Sequence, residues 1–263
     1  MRSVDSHSPI QGVIFDFGST LSIARAGWPT IISAGAAALA AFLQEAGLLL
    51  PADFSHLWVA MLNFSVEQAR RDGWERPADQ VLSALLASQG YPALDPALIQ
   101  QATDRFFAVE DTLRGPAPGA AELLATLHAA GYRLAVLSNT IGGRWVQQWV
   151  DSYGFRDSLH AVVTSDQIGF RKPRPEAFTI TLERMGLADP TRVVMVGDTP
   201  EDDIAGAHRL RMRTVQIELA EDMSFSEAPR LAAEGIDRVE PDARITTLPA
   251  LLPILERWQA DER

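Results

Sequence analysis

No cysteine occurs in the 263 residues, which removes disulfide scaffolds, thiolate metal sites and cysteine nucleophiles together. Lysine is nearly as scarce: of the 23 basic residues, 22 are arginines and one is Lys172. Arginine-for-lysine drift explains that count without any chemistry, yet it leaves a single candidate for a mechanism that needs an amine. Basic residues are also outnumbered by 34 acidic ones, for a net charge of −11. That balance disfavours nucleic acid or an anionic membrane surface as a partner recognised through bulk charge. Long apolar runs are missing too. Residues 1–10 are polar and lack the apolar stretch of a signal peptide. The most apolar window, 31–50, is alanine-rich and broken by Ser33, Gln44 and Glu45, as in an amphipathic or buried helix. The expectation is a cytoplasmic protein with no membrane or nucleic-acid partner, monomeric or homodimeric.

Against these absences, 47% hydrophobic and 22% charged residues are an ordinary globular balance. The length is large for one domain and small for two, which suggests a core domain carrying an insertion. Four apolar, β-branched runs, at 13–17, 134–137, 161–164 and 193–196, each lead into small or acidic residues. Helical segments such as 120–130 and 175–185 precede the later ones. Further strands are expected at 213–217 and 243–245. Apolar strands alternating with helices predict an α/β, Rossmann-like parallel sheet covered on both faces. Ligands in such sheets bind beyond the carboxyl ends of the strands. Here those ends carry Asp16, Ser138-Asn139, Thr164 to Asp166 and Gly197-Asp198.

Residues from about 21 to 115 break the alternation. They contain no convincing strand, but helical patches at 30–46, 52–71, 77–89 and 96–113, separated by glycine and proline turns. The expected organisation is a core of residues 1–20 and 116–263, with an α-helical insertion at 21–115.

Asp16 leaves the first strand just before Gly18-Ser19-Thr20, close to main-chain N–H groups able to cradle an anion. Standing alone it also reads as a turn or cap carboxylate. Asp198 leaves the fourth strand, and the acids that follow, Glu201 and Asp202, suit the first turn of a helix opened by Pro200. Asp16 and Asp198 on adjacent strand ends crowd two carboxylates, which requires a shared proton or cation; oxygen-only ligation suits Mg²⁺. Ser138 adds a hydroxyl, Asn139 a loop N–H, and Lys172 lies in a proline-rich loop, 169–175. An acidic centre with one lysine and one hydroxyl is what phosphoryl transfer requires.

These four segments, in their order along the chain, resemble the motifs of the haloacid dehalogenase (HAD) superfamily with a helical cap inserted after the first motif, the C1 arrangement. The resemblance spans nearly the whole chain and is carried most specifically by 169–178 and by Gly197-Asp198 through Asp203-Ile204 to Gly206-Ala207. It implies a Mg²⁺-dependent phosphatase acting on a small phosphorylated metabolite. Asp16 would be the nucleophile, Ser138 and Asn139 would bind the transferring group, and Lys172 would steady Asp16 and the phosphoryl charge. Mg²⁺ would be held by Asp16, the Gly18 carbonyl, Asp198 and, directly or through water, Asp203.

One position departs from the pattern. Phosphatases of the family usually carry a second Asp two residues after the nucleophile, as general acid and base; here that residue is Gly18. Such catalysis contributes about 10²–10⁴-fold. The alternatives are a phosphate- or protein-binding module with weak or lost turnover, and a 2-haloacid dehalogenase, which does not need the metal-binding acids. A phosphonatase needs a second lysine in the cap, and residues 21–115 contain none. Arg25 is a solvated turn residue or an anion contact; Trp28, Trp58 and Trp74 are cap core or pocket lining; Arg171 and Arg174 add positive field beside Lys172; Trp145 and Trp149 pack on the sheet; and the histidines have no metal-ligand spacing.

Overall fold

The computed structural model describes residues 9–220 and 239–260; His7 lies outside them. Strand β1 (Gly12–Phe15) leads into a short β2 (Ser22–Ala24), then helices α1 (Trp28–Glu45), α2 (Phe54–Asp72), α3 (Ala78–Ser88) and α4 (Pro96–Thr112), and β3 (Arg114–Pro116). The chain then alternates through α5 (Ala120–Ala129), β4 (Arg133–Ser138), α6 (Gly143–Ser152), β5 (Ala161–Thr164), α7 (Ser165–Ile168), α8 (Pro175–Met185), β6 (Val193–Gly197), α9 (Ala205–Arg209) and β7 (Arg213–Ile217). Strand β8 (Ala243–Ile245) and helix α10 (Leu251–Ala260) close it.

Six strands form one sheet in the order β5-β4-β1-β6-β7-β8, every neighbouring pair parallel. The first strand therefore lies at the centre, between β4 and β6, and the strand ends bearing Asp16, Ser138 and Asp198 are adjacent. Alternation of side chains along a strand sorts the core into two faces. Val13 and Phe15 pack with Leu123, Leu124, Val146 and Trp149 of α5 and α6 and with Leu255 of α10. Ile14 joins Ala135, Leu137, Met195 and, from α8, Phe178 and Met185. Covering both faces is what permits continuous apolar strands.

The insertion has a cluster of its own, including Leu39, Leu43, Phe54, Trp58, Leu82, Leu86 and Phe106. Helices α1 and α4 approach tightly at Gly35, where an added Cβ would stand 2.8 Å from the Phe106 carbonyl oxygen. Helix α4 starts on Asp95, whose carboxylate accepts from Ala97 N at 2.9 Å, with Pro96 fitting the first turn. All four expected helical patches are helices here. The expectation that 21–115 holds no strand needs correction. Ser22–Ala24 and Arg114–Pro116 pair antiparallel, so that the outgoing and returning chains form a two-stranded stem. Three-residue strands carry too little periodicity to be recognised, and their pairing joins residues about ninety positions apart.

Candidate active site

The ladder between β1 and β6 extends by one bond past the sheet, Asp16 N donating to Val196 O at 2.8 Å. Asp16 is thereby fixed by buried backbone on its N-terminal side. Immediately after it the chain turns sharply, Ser19 N donating to Ser22 O at 2.7 Å and Ser22 N to Phe17 O at 2.9 Å. Ser19 has φ 57°, a left-handed conformation uncommon for a residue other than glycine.

Lys172 is 1% exposed, and its ammonium faces three acceptors. Nζ donates to Asp16 Oδ1 at 2.5 Å and to the Leu137 carbonyl at 2.8 Å, and forms an ion pair with Asp203 Oδ1 at 2.7 Å. Burial disfavours the charge, but Asp16 and Asp203 more than offset it and hold the amine protonated above its usual value. Asn139 brackets the lysine's backbone. Its Oδ1 accepts from Lys172 N at 2.7 Å, and its Nδ2 donates to Lys172 O at 3.0 Å and to Asp202 Oδ2 at 2.9 Å. The Asn139 side chain is thus engaged within the protein, which leaves its main chain for any ligand. Ser138, the last residue of β4, is buried beside it.

Asp198 follows β6 directly, while Asp203 returns to the strand end through a π-helical turn, Pro200–Ile204. Asp203 Oδ2 accepts from Thr199 N at 3.0 Å. Gly197 makes this return possible: a Cβ there would lie 2.2 Å from Asp203 Oδ2. Oxygens of Asp16, Asp198 and Asp203 come within 4.8 Å of one another. Asp198 is pushed well above the usual carboxylate range by burial and by the charges of Asp16 and Asp203. Asp203 is raised in turn, by burial first, against the opposing pull of Lys172. Both oxygens of Asp203 have protein partners, whereas among the described residues the one side-chain hydrogen bond to Asp198 comes from Thr199 Oγ1 at 3.3 Å. A hard cation suits this set: its donors are all oxygens, and Asp198 is the carboxylate left most in need of one.

A cavity of about 570 Å³ lies over this floor and is lined by Asp16, Ser138, Asn139, Lys172 and Asp198. Residues 21–115 contribute to its lining the apolar Trp28, Ile32, Phe106 and Phe107 and the polar Asn63 and Glu67. Of the three tryptophans, Trp28 lines the cavity, Trp58 is buried in the insertion's cluster, and Trp74 is exposed and lies tilted against Phe170. Arg25 is exposed and covers Gly115. Arg171 and Arg174 add less positive field than their sequence position suggests. The first pairs with Glu75 and Asp202, the second with Glu176. His128 and His160 stack on each other.

Three lining residues escape a reading of sequence alone. Glu75 is buried among Ser165 Oγ, which donates to it at 2.9 Å, and Arg171; burial raises its carboxyl, opposed by Arg171 and Ser165. Glu110 and Arg114 form a buried ion pair at 2.7 Å. An i,i+4 acid–base spacing marks that pair as possible, but it is common on solvated helices and carries no signal of burial. The seam between insertion and core is likewise unreadable. Trp145 and Trp149 do more than pack: their indole N–H groups donate to Asp104 and Asp111 of α4, at 3.1 and 2.7 Å.

A family model, haloacid dehalogenase-like hydrolase, matches residues 10–211. The chain belongs to that family. Among known proteins, this chain is 33% identical over 144 residues to the glyceraldehyde 3-phosphate phosphatase of Methanothermobacter thermautotrophicus, covering 54% of this chain and 61% of that protein. The chain spans about half the length of the curated relatives it matches. Two solved structures superpose along nearly all of it. A 2-haloacid dehalogenase from Pseudomonas syringae pv. Tomato is 26% identical, with a TM-score of 0.64 over 95% of this chain and 99% of that one. A HAD phosphatase from Thermococcus onnurineus is 22% identical, with a TM-score of 0.62 over 94% and 98%. The fold accommodates both reactions, so the choice between them rests on side chains. No described helix is long and apolar enough to cross a membrane.

Proposed function

We propose that this hydrolase is a Mg²⁺-dependent phosphatase that takes the phosphoryl group of a small phosphomonoester onto Asp16 and passes it to water. The observation that carries this reading is the clamp of Lys172 on Asp16, 2.5 Å long, beside Asp198, whose charge is crowded by Asp16 and Asp203. Lys172 occupies Oδ1 and aims the carboxylate, leaving Oδ2 as the attacking oxygen. Ser138 and the main chain at Asn139 receive the phosphoryl oxygens, and the ammonium shares their charge. Asp203 holds both Lys172 and the Thr199 backbone, which keeps Asp198 aimed. When bound by Asp16, the Gly18 carbonyl and Asp198, Mg²⁺ neutralises phosphate charge. On this reading residues 1–20 and 116–263 form the catalytic core, and 21–115 act as a cap that excludes water and selects substrate.

The test is release of phosphate from p-nitrophenyl phosphate, with Mg²⁺ or with chelator, in the parent and in Asp16→Asn. Turnover that needs both the metal and Asp16 supports the reading. No turnover of any phosphate ester by either protein points to a binding module. Chloride release from a 2-chloroalkanoate without metal points to a dehalogenase.

A further inference from the structure

Gly18 stands where an acid is missing, and the structure supplies something else there. The nearest atom to a Cβ built on Gly18 is Arg114 Nη1, at 3.9 Å, so a side chain would fit and glycine is not forced by crowding. Arg114 comes from β3, at the foot of the stem. Its Nε and Nη2 are fixed by Glu110 Oε1 at 2.9 and 2.7 Å, its Nη1 donates to Ser22 Oγ at 3.3 Å, and its guanidinium lies 5.2 Å from the Trp149 ring centroid. Ser22 Oγ in turn donates to Gly115 O at 3.2 Å. The guanidinium is therefore buried, oriented from three sides, and lines the same cavity as Asp16 and Lys172.

We propose, resting on the phosphatase reading, that Arg114 binds the leaving-group oxygen and carries its developing charge in place of a general acid. The Asp16 Oδ2–phosphorus bond forms as the phosphorus–oxygen bond to the leaving group breaks. The electron pair stays on the leaving oxygen, facing Nη1, and water protonates that oxygen after departure. Arginine keeps its proton at any accessible pH, so it stabilises an anion without completing a proton transfer. The substrate class that suits such a site is the phosphate ester of an acidic hydroxyl, an aryl or enol phosphate, or an acyl phosphate. Glycine at position 18 fits this role, since a carboxylate there would pair with Arg114 and withdraw it from the substrate.

The experiment compares kcat/KM across p-nitrophenyl, phenyl and alkyl phosphates for the parent, for Glu110→Gln/Arg114→Met, which leaves no unpaired buried carboxylate, and for Arg114→Lys, which keeps the ion pair. The parent is expected to favour the best leaving group strongly. Both variants should lose more on phenyl than on p-nitrophenyl phosphate, the double variant by about 10²–10³-fold on the poorer ester, the scale of one lost oxyanion donor. Melting temperatures and the Mg²⁺-induced shift check the fold, and Arg114→Lys decides alone if the double variant does not fold. Equal losses across the series, or no loss, overturn the role of Arg114. Absence of Asp16-dependent turnover in the parent overturns the phosphatase reading itself, a different result.

Discussion

Lys172, 1% exposed, has three N–H groups and three acceptors, Asp16, Asp203 and the Leu137 carbonyl. A guanidinium is planar, larger and cannot present three donors around one nitrogen. In a chain that otherwise uses arginine throughout, Lys172→Arg should nevertheless lower kcat on an aryl phosphate by about 10²-fold or more and lower the melting temperature. A silent substitution would mean the lysine is compositional chance. Asp198 yields a second prediction. Its carboxyl is raised by burial and by neighbouring acids, so without metal the folded state binds its proton more tightly than the unfolded state does. Metal-free stability then falls as pH rises from the usual carboxylate range through the raised value. Asp198→Asn removes that cost: without metal it should melt above the parent at neutral pH, with the difference vanishing in acid. Melting curves with chelator across pH check this, and a variant less stable at pH 7 would count against it.

At the scale of elements, the sheet was legible because each strand is a short apolar run ending in the residues that make the site. Asp16, Ser138, Lys172, Asp198 and Asp203 all border one cavity or its floor. What could not be read is whatever depends on contacts between distant elements: the β2–β3 stem, the bonds from α6 to α4, the carboxylates Glu75 and Asp202 that absorb Arg171, and Arg114 beside Gly18. The brackets around the lysine loop belong to the same class. Asn139→Ala removes the bonds at 2.7 and 3.0 Å to the Lys172 backbone and is expected to cost about tenfold or more in kcat, in keeping with about 1–3 kcal/mol for a buried partner lost. Gly197→Ala pushes directly on Asp203 and should do more damage, lowering both the melting temperature and kcat. If Asn139→Ala turns over at the parental rate, the bracket does not position the lysine.

For the whole molecule, the acidic site is a store of repulsion that a cation relieves. A ligand that binds only the folded state stabilises it by about 2.7 kcal/mol at a hundredfold excess over Kd. In a chain of this size that corresponds to a rise in melting temperature of roughly 5–10 °C. Saturating Mg²⁺ should produce such a shift in the parent and none in Asp198→Asn, and the metal concentration needed should rise as pH falls, because protons compete for the same oxygens. A shift of equal size in Asp198→Asn would place the cation elsewhere.

The sole lysine also turns the protein into its own opening gauge. With one ε-amine, 1% exposed, acylation by an amine-reactive ester can add only one group beyond the α-amino terminus. That second group reports the moment the clamp on Asp16 lets go. Counting it by intact mass against time would measure how often the site unlocks, with no engineered label.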